Sequence, residues 1–361
     1  MWIVSKKYDL AFIFGGAAVS LLVPFIAMQK PVFIPLMFWI WVWIFDGTHL
    51  YATLSSTYFD RQFWKNNRAL LVWSPAVILL PLIAVAFYLR SGSTRPIEFF
   101  LLFAQAWAYY HLVRQHYGFI SLYDRKSGVS RESHEINKQT VYVGLWTPYV
   151  YFLLSHPVNR KIVGLPSLFP EMELLWGLNI FAIFFTGGAA LLFLAHYIKN
   201  KTWTPAGIFT AICVALYSLI FYWIAPMEPL FARAQNVVQS FMIIAITMTV
   251  FHNIQYHAIV WHFNRNKYGH SSFGLATILN RNFLIYAAVA ILFAGIYSAV
   301  AWFTTDYPSL FGTMSESDFV PIAFCVWWGL LFHHYFLNHK ICHFSKSKDL
   351  QEQLGIEISS S

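Results

Sequence analysis

Phe251-His252-Asn253-Ile254-Gln255-Tyr256-His257-Ala258-Ile259-Val260-Trp261-His262 closes a long apolar run, Ala234–Phe263, and sets three histidines five residues apart inside it. A helix of that length crosses the ~30 Å hydrocarbon core of a bilayer. Ionisable groups are costly at membrane depth, where they mark functional sites by default. Histidine is also the commonest metal ligand and changes charge near neutral pH. The stretch reads as a membrane span that carries chemistry, and each half of that reading can be followed outward along the chain.

The membrane half extends over the whole sequence. The chain is 58% hydrophobic and 11% charged, with a mean hydropathy of +0.53, outside the range of soluble domains. Apolar runs of membrane-crossing length can be placed ten times: Leu10–Met28, Val32–Ser55, Leu70–Leu89, Ile97–Tyr123, Val141–Leu154, Leu174–Ile198, Pro205–Ala225, Ala234–Phe263, Phe283–Phe303 and Phe319–His339. The expected fold is all-α, a polytopic transmembrane helical bundle of about ten spans, with residues 1–345 as one membrane domain and 346–361 as a polar cytoplasmic tail. Lys6 and Lys7 precede the first run without a convincing small-residue cleavage site, which favours a retained span over a signal peptide.

Charge orients this bundle. With both termini cytoplasmic, 18 of the 24 lysines and arginines fall inside and 6 outside, the asymmetry of the positive-inside rule. That bias explains the formal charge of +8 without a nucleic-acid partner. The expected location is a multi-pass position in a membrane, most simply the bacterial inner (cytoplasmic) membrane. Cys213, Cys325 and Cys342 are too scattered for a disulfide framework or a CxxC metal pattern. Phosphate-binding glycine loops, nucleophile elbows and HExxH zinc motifs do not occur.

The histidines follow the same topology. Of 14, eleven fall in the inner half of an even-numbered span or just past its end: His49, His111, His116, His196, His252, His257, His262, His333, His334, His339 and His343. His134 and His270 lie in inner loops, and only His156 is outside. The bland reading of a single intramembrane histidine is an interhelix hydrogen bond. Co-location on one side of the membrane instead points to a shared site, with metal ligands expected from His49, His111, His116, His252, His257, His333, His334 and His339.

Helix geometry limits how these can meet. Residues five apart are about 140° apart around a regular helix, so His252, Gln255 and His262 share one face and Asn253 and His257 another. A π-bulge, frequent at functional sites, would draw them together. His334 and Asn338 share a face at i,i+4, as do His111 and Gln115. Asp46, Gln115, Asn253, Gln255, His262 and Asn338 are the candidates to orient the ligands or hold a water. Asp46 precedes His49 by three residues and could orient its imidazole, ligate directly, or pair with Arg114.

Many imidazoles with few carboxylates and thiolates suit iron, copper or zinc over magnesium or calcium. In a bilayer the natural substrate is lipophilic, and C–H or C=C chemistry on it needs a redox metal with oxygen. The spacing of His111 and His116, of His252, His257 and His262, and the His333-His334 pair resemble the histidine boxes of integral-membrane non-haem iron enzymes, the fatty-acid desaturases, hydroxylases and alkane monooxygenases. They are similar in style to the Brp/Blh-type membrane carotene dioxygenases as well. The desaturase-type His-x2-His-His box is absent. The resemblance implies a non-haem iron site of one or two ions, O2, a lipid, hydrocarbon or isoprenoid substrate, and an electron-donor protein. Two other expectations stay open: a haem-b electron carrier with histidine axial ligands, and a histidine-dependent transporter.

Overall fold

The fold comes from a computed structural model that describes residues 1–156, 171–227, 237–269, 274–305, 316–341 and 348–355. His270, Cys342, His343 and all of the tail other than 348–355 lie outside the described residues. Among the described residues every regular element is helical. In chain order the principal helices are α1 (Lys6–Gln29), α2 (Pro31–Ser55), α3 (Arg68–Ser91), α4 (Arg95–Ser127), α5 (Arg131–Ser155), α6 (Leu175–Asn200), α7 (Pro205–Ile224), α8 (Val237–Tyr268), α9 (Phe283–Thr305), α10 (Glu316–Ile341) and α11 (Lys348–Gln353).

Six described stretches are long and apolar enough to cross a membrane: α1, α2, α3, α6, α7 and Met242–Tyr268 of α8. This is the architecture of an integral membrane protein. Two of the other expected spans are present as helices but extend into polar sequence. Helix α5 starts at Arg131, well before the apolar run, because the Ser130 hydroxyl accepts from Ser133 N and caps it. Helix α4 runs for 33 residues and carries Gln105, His111, Arg114, Gln115 and His116 along its length. Of α9, the described apolar part is Phe283–Ala299.

The chain divides into two compact units, one of Met1–Phe38 and Tyr109–Gln255, the other of Trp39–Ala108 and Tyr256–Ser361. In the first unit α5 packs on α7 and α6. Between α5 and α7, a Cβ at Gly144 would meet Val214 at 2.6 Å; small residues let membrane helices approach where no hydrophobic drive operates. Aromatic rings fill the interior: Tyr109 stacks on Tyr149 at 3.9 Å and donates to Leu145 O, and Phe209 packs against Phe14, Phe119, Tyr123 and Phe251.

In the second unit α10 packs on α3 and α9, and α9 packs on the C-terminal half of α2. A buried cluster of Tyr51, Ala52, Tyr256, Val260, Tyr286 and Ala290 joins α2, α8 and α9. Gly47 permits the closest approach, since a Cβ there would lie 2.8 Å from Ala294 and 2.9 Å from the Tyr297 ring. Helix α8 is regular from Val237 to Tyr268, so the five-spaced histidines stay on separate faces. The π-helical turns occur elsewhere, at Asp9–Phe14, Trp41–Asp46, Ile183–Gly187 and Ile220–Ile224. One of them ends three residues before His49.

Candidate functional site

In the second unit the C-terminal half of α2 presents Thr48, His49 and Thr53, α8 presents Tyr256 and His257, and α10 presents His334 and Asn338. His49 and His334 are both 2% exposed. Their ring centroids are 4.4 Å apart, and each offers a ring nitrogen within 4.8 Å of the other's. The Tyr256 ring packs on His49 at 4.2 Å.

Hydrogen bonds around His334 assign its tautomer. Tyr256 OH donates to Asn338 Oδ1 at 2.6 Å, and Thr53 Oγ1 donates to the same oxygen at 3.2 Å. With its proton so used, the Thr53 oxygen accepts from His334 Nδ1–H at 2.7 Å. The lone pair is then on His334 Nε2, which lies 3.2 Å from Asn338 Nδ2. A hydrogen bond on one imidazole nitrogen is how ligating histidines are commonly oriented; a metal on Nε2 would take the place of the Asn338 amide there. Two buried imidazoles beside hydroxyl and amide groups fit a borderline transition metal such as iron, copper or zinc.

The other expected ligands of this unit have neighbours of their own. His257 Nε2 is 2.9 Å from Thr48 Oγ1 and its Nδ1 3.4 Å from Tyr286 OH, and its ring centroid lies 6.2 Å from that of His49. His333, one residue and so about 100° from His334, has Nε2 at 3.0 Å from Ser74 Oγ and 3.2 Å from Tyr58 OH. His339 is exposed, and half-buried His262 has Nε2 3.2 Å from Asn266 Nδ2. Asp46 accepts from Tyr297 OH at 2.6 Å.

In the first unit His111 and His252 meet edge to face with ring centroids 4.9 Å apart, both buried. Gln115 donates to His252 O at 2.8 Å, tying α4 to the α8 backbone. Tyr217 OH donates to Met248 O, so its oxygen accepts from His116 Nε2–H at 3.0 Å. Gln255 donates to Ile13 O, and Asn253 is buried. Arg114 donates to Tyr142 OH at 3.0 Å.

Thr48, Thr53 and Tyr256 line the site without having been marked by their sequence context as candidates. Only Tyr256, inside the opening stretch, had a positional signal. Two buried carboxylates brace the polar ends of the helices. Asp60 caps the short helix Arg61–Asn66 through Gln62 N and Phe63 N and also accepts from Lys267 Nζ at 2.7 Å and Tyr268 OH at 2.8 Å. Burial opposes its charge, but Lys267, Phe63 N–H and Tyr268 outweigh burial and hold its pKa below the usual value. At Asp124 burial prevails and raises the pKa, although His134 Nδ1 at 2.9 Å and Asn137 favour the carboxylate. No family model matches the chain, and no curated protein or solved structure matches it either.

Proposed function

We propose that this chain is a multi-pass membrane oxidoreductase of about ten spans with cytoplasmic termini, which holds a transition metal, non-haem iron first among the choices, on buried imidazoles. The observation that carries this reading is the His49–His334 pair, two buried rings 4.4 Å apart, one with its tautomer set by Thr53. His111 and His252 form a second buried ring pair and are candidate ligands on the same chemical grounds. A bound iron would supply the one- and two-electron oxidation that a side chain cannot perform.

The chain's own residues do the rest. Thr53 and Asn338 hold the His334 ring, Tyr256 covers one face of His49, and the packing of α2, α8 and α10 keeps bulk water from the imidazoles. Long apolar helices favour a lipid, hydrocarbon or isoprenoid substrate that enters from the bilayer, with O2 as oxidant and a soluble or membrane protein as electron donor. The inner-side bias of Lys, Arg and His favours a cytoplasm-facing site in an inner membrane.

The test is elemental analysis of the full chain purified in detergent. Stoichiometric iron, at one or two ions per chain, is expected. Iron, copper and zinc all far below one per folded chain would end the metal reading, and a Soret band would move it to haem b.

A further inference from the structure

Asp46, on the same helix as His49, is hydrogen-bonded to a tyrosine. Asp46 is 7% exposed and its Oδ2 accepts from the phenol of Tyr297, itself 2% exposed, at 2.6 Å. That is a short hydrogen bond, with the phenol donating to the carboxyl oxygen. The pair is rigidly built. Gly47 lets the α2 and α9 backbones close until a Cβ there would touch the Tyr297 ring, and Trp43 Nε1 donates to Ile291 O at 2.9 Å one turn away. The indole of Trp327 lies nearly parallel to the Tyr297 ring, centroids 6.0 Å apart with 28° between planes. Trp328 follows, 6.0 Å from Trp327.

From this juxtaposition we infer that Tyr297 is a proton-coupled electron donor, with Asp46 as its proton acceptor and Trp327 and Trp328 as the next members of an oxidisable chain. A phenol in an apolar interior resists oxidation because loss of an electron alone leaves an unsolvated cation. With a carboxylate already on the O–H, the phenolic O–H bond breaks as the electron leaves to a one-electron oxidant. The proton bonds to Asp46 Oδ2, which leaves a neutral phenoxyl and a neutral carboxylic acid. Refilling from Trp327 runs this in reverse: the phenoxyl takes an electron from the indole and its proton back from Asp46, and the radical cation is then on Trp327. Asp46 stands one helical turn from His49 on α2, so the oxidising equivalent would come from the metal chemistry proposed above. The inference rests on that reading for its physiological oxidant only.

Two arms separate the inference from the reading. In the first, metal-free full chain in nanodiscs is flash-oxidised by a membrane-soluble anthraquinone and followed by electron paramagnetic resonance. A phenoxyl signal is expected that narrows when the chain carries ring-deuterated tyrosine, and that is lost in Tyr297→Phe. In Asp46→Asn its yield should fall by about tenfold or more, the factor one hydrogen bond to a charged group is worth. The same signal in Tyr297→Phe, an unchanged yield in Asp46→Asn, or no tyrosine signal in the native chain would each overturn the inference. In the second arm, ferrous-loaded protein is mixed with hydrogen peroxide and freeze-quenched. Signal in the first arm with no iron retained in the second would defeat the proposed function and leave Tyr297 as the electron donor.

Discussion

The two units each bury a pair of imidazoles, and the surroundings of the pairs differ. Around His49 and His334 are Thr53, Tyr256 and Asn338, a set of hydroxyl and amide groups that fixes which nitrogen of His334 carries its proton. Around His111 and His252 the anchoring is to backbone, with Gln115 on the carbonyl of His252 and the neighbouring His116 tied through Tyr217 to Met248 O. The first pattern orients a ring nitrogen. The second fastens one helix to another, which an intramembrane polar group does with or without a ligand. The printed polar contacts thus reach the imidazole itself at His334 and the backbone at His252.

Removing one ring from each pair has the largest expected effect. His334→Ala should abolish stoichiometric metal in the purified protein, while His333→Ala, whose ring is engaged by Ser74 and Tyr58, should keep it. If His252→Ala loses the metal as completely, the first unit's pair ligates as well, and backbone anchoring is no sign of a structural role. Retention of full metal by His334→Ala would remove the second unit's pair from the site.

Next in size is Asp60→Asn at the polar end of the second unit. Losing the negative charge that pairs with Lys267 should cost ~3 kcal/mol, the range for breaking a buried ion pair, read as a lower midpoint in tryptophan-monitored thermal unfolding. The native carboxyl is held below its usual value, so its stabilisation is complete above the unfolded value of about 3.9. It is lost as pH falls through the lower folded value. The native chain should show that acid loss, and Asp60→Asn should not.

Smaller effects refine the contrast. Thr53→Val keeps the shape but removes the oxygen on His334 Nδ1, and metal affinity should drop roughly 10–100-fold, as for other partners of ligating histidines; an unchanged affinity would mean that Thr53 does not set the tautomer. Gly144→Ala in the first unit should cost ~1–3 kcal/mol by overpacking against Val214 and leave metal content alone. Smallest of all, His339→Ala, at an exposed position, should change neither stability nor metal content.

Much of the fold was legible in the residues. Runs such as Leu10–Met28 and Pro205–Ala225 are membrane-length helices on composition alone, and α1 and α7 occupy them. The start of α5 was not: the apolar run begins at Val141, but Ser130 caps a helix that begins at Arg131, because capping is local and does not need apolar sequence. In the site, the i,i+4 relation of His334 and Asn338 placed both on one face, and their side chains do meet. The meeting of His49 with His334 could not be read, since 285 residues separate them and no periodicity encodes which faces two distant helices present to each other. Nor could the fate of Asp46 be read, because Tyr297 is one of 20 tyrosines and only packing at Gly47 brings it near.

That the chain is helical and built for a membrane follows from its residues alone, because hydropathy and helix period are local properties that each segment carries. So does the fact that α8 cannot gather its three histidines at one point, since about 100° per residue is set by the backbone. Tertiary structure alone decided which imidazoles become neighbours, which nitrogen of His334 is left with a lone pair, and which histidines are occupied by Ser74, Tyr58 or Tyr217. Those outcomes depend on contacts between helices far apart in the chain, which no local property of either segment encodes.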